Sequence, residues 1–152
     1  TGLLTWKKTI SFRRGKGEVA GCKTRFNYQV IGLGGRIYMA HRVIWFYIHG
    51  QWPEKHIDHI NGDGMDNRIA NLREATRSQN LSNVSKHSNN KSGFKGVYLH
   101  KSSNLWVATC VLNRKKFSAG YHKTPELAAA AYDLLAKKLH GEFHRPSIGV
   151  QV

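Results

Sequence analysis

The feature that most restricts this fold is an interruption. The stretch Ser82-Asn83-Val84-Ser85-Lys86-His87-Ser88-Asn89-Asn90-Lys91-Ser92 is polar and has no apolar periodicity, and its latter half reads as a linker. A chain of 152 residues cut there builds two small modules, each closing its own core. The expected boundaries are 1–90 and 93–145, the first divided into a β-rich basic part, 1–40, and a core, 41–85. With 40% hydrophobic residues and four tryptophans, the chain has enough apolar surface for both cores and is no disordered basic tail.

Charge narrows the choice of partner. The chain carries 24 Lys and Arg against 9 Asp and Glu, a net charge of +15, far beyond what a mixed solubilising surface needs. Nucleic acid is the economical partner, because neutralising phosphates releases condensed counterions. A membrane partner is not expected, since no apolar run approaches the roughly 20 residues of a span, and no apolar signal-peptide core opens the chain. Cys22 and Cys110 stand far apart, which argues against a thiolate zinc site or a disulfide scaffold and fits a reducing, cytoplasmic setting. Five of the nine acidic residues fall within 41–92, where a cation would need them.

Short strands are expected at 3–6, 26–31 and 36–40, the last two joined by the turn Gly32-Leu33-Gly34-Gly35. Arg13 and Arg14 sit in a basic loop that is either a solvated turn or a phosphate contact. The run Val43 to Ile48 reads as strand or helix; its position before Gly50 suits a short buried helix with a glycine C-cap. Beyond the linker, strands are expected at 96–99, 106–111 and 116–119. A helix then runs from the N-cap Thr124 and Pro125 to Gly141. Its apolar stripe combines Leu127, Ala131 and Leu134 with Ala128, Tyr132, Leu135 and Leu139.

The chemistry concentrates between His56 and Asn80. A strand around Ile57 and Ile60 leaves through Gly62, a Gly/Asp/Asn-rich loop follows, and a strand returns near Leu72-Arg73-Glu74. Thr76 and Gln79 have capping-box spacing, so a helix starts there and carries Asn80. This ββα unit can gather Asp58, His59 and Asn80. One carboxylate, one amide oxygen, water and phosphate suit a hard cation such as Mg²⁺, and an adjacent imidazole can accept a proton from water at neutral pH. Phosphodiester hydrolysis needs both. Successive strand residues face opposite ways, so Asp58 and His59 share a site only if the strand ends or bulges there. A His59 ring aimed into the core would exclude the role.

From His41-Arg42-Val43-Ile44-Trp45 through Asp58-His59 and Asn67-Arg68-Ile69-Ala70-Asn71-Leu72 to Asn80, the chain resembles the HNH homing endonucleases of phages and mobile introns. The resemblance implies a ββα-metal (His-Me finger) motif, one divalent ion, Mg²⁺ or Mn²⁺, on Asp58 and Asn80, and His59 as general base. It also implies that Asn71 holds the loop by hydrogen bonds. Residues 93–143 resemble the AP2/ERF DNA-binding domain through Gly93-Phe94-Lys95-Gly96-Val97-Tyr98, Trp106-Val107-Ala108 and Glu126 to Asp133. Lys95, Trp106 and Lys116 then match DNA-contact positions, although Trp106 reads equally well as core, and Arg114 and Lys115 are phosphate contacts on a basic turn. The expectation is an α+β protein: short N-terminal strands, the central HNH motif, and a three-stranded antiparallel sheet packed on one helix. Its partner is double-stranded DNA, with no small-molecule cofactor, in a phage-encoded nuclease of a bacterial host. No residue pattern specifies an oligomeric state. The alternative is a DNA-binding protein that keeps the HNH fold without cleavage.

Overall fold

The computed structural model describes residues 1–9, 15–86 and 88–147. Arg13 and Arg14 lie outside the described residues. The chain forms two compact units, Thr1–Thr76 and Arg77–Val152.

In the first unit, β1 (Cys22–Lys23), β2 (Gln29–Leu33) and β3 (Arg36–Met39) form an antiparallel sheet in that order. Gly34 and Gly35 both take positive φ at the β2–β3 turn, a conformation with no Cβ penalty for glycine. The ambiguous apolar run is helical: α1 spans Ala40–His49 and ends on Gly50 at φ 72°, the left-handed C-cap that its position suggested. A second hairpin pairs β4 (His56–His59) with β5 (Leu72–Ala75), one for one from His56↔Ala75 to His59↔Leu72. Ile44 of α1, Ile57 and Leu72 make its apolar cluster, with Leu4 and Trp45 packed against it. A 3₁₀ turn at Ile69–Asn71 leads into β5.

The second unit opens with α2 (Arg77–Asn83). The antiparallel sheet β6 (Val97–His100), β7 (Leu105–Leu112), β8 (Lys115–His122) follows, then α3 (Pro125–His140). The Thr124 hydroxyl accepts from the Leu127 amide at 3.3 Å, so the expected N-cap forms. The core joins Val97, Ala108 and Cys110 of the sheet to Ala128, Ala129, Tyr132 and Ala136 of α3, with Leu135 and Leu139 partly buried beside them. The expected stripe was too wide. Leu127 and Leu134 are exposed, because a three-stranded sheet covers one side of a single helix. Among the described residues no helix is long and apolar enough to cross a membrane.

Candidate functional site

The β4–β5 hairpin sets the site, and its regular register removes the bulge from consideration: β4 simply ends at His59. The chain turns at once, with the Gly62 amide donating to the His59 carbonyl at 2.8 Å. Before that end, strand alternation sends Asp58 and His59 to opposite sides. Asp58 is 3% exposed and pairs with the residue opposite it, the Arg73 Nε lying 2.8 Å from Oδ2.

His59 is 5% exposed and faces the same side of β4 as Ile57, directly opposite Leu72 on β5. Its ring centroid sits 5.1 Å from that of His41, edge to face, and 5.8 Å from that of Tyr28. Its Nε2 lies 3.1 Å from Oδ1 of Asn67. His41 is held neutral: burial first, then the neighbouring charges of His59 and Arg42, lower its pKa to about 4.

The loop between the strands is tied by amides. Oδ1 of Asn71 accepts from the Asn61 backbone amide at 3.0 Å, and its Nδ2 donates to Oδ1 of Asn61 at 3.0 Å and to the Asp66 carbonyl at 2.7 Å. Asn71 therefore clamps the two ends of the loop together. These hydrogen bonds of Asn71 go to the loop, while Asn67 reaches the His59 Nε2. Asp63 and Asp66 accept backbone hydrogen bonds from Met65 and Arg68, as turn residues do. The Arg68 guanidinium grips both Asp66 oxygens and holds that carboxyl far below the ordinary range.

A cation would find one carboxylate here, the Asp58 group whose Oδ2 is engaged by Arg73. No group of three or more His, Cys, Asp or Glu side chains is poised to hold a metal among the described residues. That donor set fits a hard divalent ion which completes its shell with amide, water and phosphate oxygens, and does not fit a zinc cage. Asn80 lies on α2, in the second unit.

In the second unit the sheet has a covered and an open face. Trp106 alternates with Ala108 and Cys110 and packs, partly buried, against the core under α3. The Lys95 Nζ donates to the Ser82 carbonyl, and burial lowers its pKa to about 8. Lys116 stays on the open face, its ammonium 5.1 Å over the Tyr98 ring. Tyr98 and Tyr121 flank Val107 there from the two outer strands. Arg114 and Lys115 are exposed, and Asn113 and Arg114 take φ of 48° and 67°, the signature of a type I′ turn.

A family model described as HNH endonuclease matches residues 38–82, and one described as AP2 domain matches residues 92–142. The chain carries an HNH endonuclease domain followed by a C-terminal AP2 domain. An uncharacterized HNH endonuclease of Acanthamoeba polyphaga mimivirus is 37% identical over 109 residues, covering 70% of this chain and 56% of the relative. Protein 3.8 of Escherichia phage T7 is 30% identical over 106 residues, 69% of this chain and 87% of its own length. The chain thus spans little more than half of the mimivirus protein and most of the phage one. No solved structure matches.

The HNH match contains Asp58, His59, Asn71 and Asn80, and the AP2 match contains the whole sheet and α3. Three residues around the HNH hairpin escaped the sequence reading as individuals: Arg73 on Asp58, Asn67 on His59, and Gln29 behind Asn67. Asn67 belongs to the Asn-Arg-x-x-Asn-Leu segment. Gln29 left a fainter trace, as a polar residue at an inward position of a strand whose next inward residue is Ile31.

Proposed function

We propose that this HNH protein is a metal-dependent endonuclease that hydrolyses a phosphodiester bond of double-stranded DNA. Asp58 and, by family resemblance, Asn80 hold one divalent ion, Mg²⁺ or Mn²⁺. When bound, such an ion supplies positive charge against the phosphate and the leaving oxygen. His59 takes a proton from the attacking water, and Asn71 keeps the loop beside it closed. Lys116, Arg114 and Lys115, on the open sheet face and its turn, grip the duplex. Binding energy spread over two modules keeps the scissile phosphate within reach of a small hairpin site. The setting is the cytoplasm of an infected bacterium, a reading drawn from the phage T7 relative.

The observation that carries this is the pair of neighbours at the end of β4: a buried carboxylate oriented by Arg73, followed by an imidazole oriented by Asn67. The test is incubation of supercoiled plasmid with Mg²⁺ or Mn²⁺. The wild type should nick it, and His59→Ala should lose about 10²–10⁴-fold in rate. Equal nicking by the two would reject His59 as the base. A second reading, a DNA binder without cleavage, draws on the depth of His59, 5% exposed. It expects salt-sensitive DNA binding with no divalent-dependent nicking by either protein.

A further inference from the structure

Resting on the reading of His59 as the base, we infer that Gln29 and Asn67 are positioning residues that hold the His59 ring in one tautomer, with its proton on Nε2. The Ala20 carbonyl can only accept, and the Gln29 side-chain amide lies 2.9 Å from it, so the end of that amide facing Ala20 is the NH₂. Gln29 Oε1 is thereby turned inward, where it accepts from Asn67 Nδ2 at 3.0 Å. Asn67 is then oriented as well, with Oδ1 toward His59 Nε2 at 3.1 Å. An amide oxygen offers no proton, so Nε2 must donate, and the lone pair of the neutral ring resides on Nδ1. One carbonyl just before β1 therefore fixes which ring nitrogen can take the proton from water, through two side chains that are themselves buried.

The surroundings of this relay are built to the same end. Asn27 Nδ2 donates to Asp63 Oδ1 at 3.0 Å, so the segment carrying Gln29 is also tied to the loop carrying Asn67. A Cβ on Gly64 would stand 2.5 Å from the Asn27 carbonyl oxygen and 2.8 Å from the Tyr28 ring, so that approach admits only glycine. A Cβ on Gly2 would stand 2.3 Å from the Arg68 amide, on the other flank of Asn67. The β-rich N-terminal segment, which looks like a DNA-binding appendage from its charge, thus acts as a brace for the base. Orienting partners of this kind fix tautomer and ring angle elsewhere, and their loss costs about 10- to 100-fold in activity.

The test uses the full chain, labelled with ¹⁵N in its histidine rings, and reads the His59 nitrogens by long-range proton–nitrogen correlation. The His59 signals are assigned by their disappearance in His59→Ala. The wild type should show His59 in the Nε2–H form alone, and a ring protonated on Nδ1 would overturn the proposal outright, with no variant needed. In Gln29→Met, which keeps length and volume but neither donates nor accepts, Asn67 is free to turn over and the two tautomers should mix. Plasmid nicking by Gln29→Met should then fall about 10- to 100-fold in kcat with KM for DNA unchanged. A variant that keeps both the pure Nε2–H form and the wild-type kcat would remove the relay from the mechanism. Should the wild type fail to nick DNA at all, the ring measurement still decides the relay, and the failure falls on the nuclease reading alone.

Discussion

The two units spend their interiors differently. Among the described residues, buried positions of the first include Gln29, Asp58, His59, Asn67 and Asn71 beside the apolar Ile31, Ile44, Ile57 and Leu72. The core of the second is Val97, Ala108, Cys110, Tyr132 and three alanines of α3. A satisfied buried hydrogen bond adds only about 0.5–1.5 kcal/mol net, so the first interior gains less stability than an apolar one of equal size. What it gains is orientation: each amide allows its neighbour one arrangement. The second unit needs a stable platform under an open sheet face, and close packing supplies that. The groups proposed for hydrolysis sit where geometry is held by hydrogen bonds, and the groups proposed to meet DNA sit on a surface held by packing.

The sharpest way to break this contrast is at Arg73. It is the ion-pair partner of a deeply buried carboxylate, and removing one member of such a pair costs about 3–5 kcal/mol. Arg73→Met should therefore unfold the first unit at markedly lower denaturant, read by hydrogen exchange of the β4–β5 amides. Asp58→Asn added to Arg73→Met should recover much of the loss, since the buried side chain then carries no charge. Mg²⁺ should stabilise Arg73→Met more than it stabilises the wild type, because the cation replaces the missing charge at Asp58. If all three proteins unfold together, the first unit is not organised around that pair.

How much of this was legible follows the same divide. Helix α3 could be placed from Thr124, Pro125 and Gly141, and the three strands before it from aromatic and β-branched runs, because packing leaves a periodic trace. The width of the α3 stripe was misread, as Leu127 and Leu134 are apolar without being covered. Asp58, His59 and Asn71 stood out by their spacing within a family pattern. Gln29 could not be linked to Asn67 or His59, since the three lie 38 and 8 residues apart in that chain of contacts and amides carry no period. Trp106 shows the converse. A tryptophan is equally at home against DNA and in a core, and only the strand alternation of β7 shows that Trp106 shares the face of Ala108 and Cys110 that packs under α3.

Packing in the second unit has its own critical point, at Gly96. It takes φ 71°, and a Cβ there would lie 2.2 Å from the Tyr132 ring and 2.7 Å from the Thr109 carbonyl oxygen. The ring could shift, but the Thr109 oxygen belongs to β7 backbone and cannot. Left-handed strain and overpacking together put Gly96→Ala at about 2–4 kcal/mol. The loss should appear as a lower melting temperature of the AP2 unit, with β4–β5 exchange protection unchanged. Equal loss in both units would mean that they do not fold as separate cores.

The smallest effect on stability is expected at Arg114. A non-glycine residue at φ 67° pays left-handed strain of about 1–2 kcal/mol, and the Asn-Arg turn here stands where Asn-Gly would be the cheaper choice. Arg114→Gly relieves that strain but also loosens the unfolded chain by about 0.4–1 kcal/mol, so the melting temperature should scarcely move or should rise slightly. DNA affinity should nonetheless fall, with the slope of log K against log salt shallower by about 1, as for the loss of one phosphate contact. A stable Arg114→Gly that binds as tightly, with the same salt slope, would show that this arginine is kept for some purpose other than DNA. A variant weakened in binding but not in folding would place the strain of the turn at the service of the open face, the one part of the second unit where orientation outweighs stability.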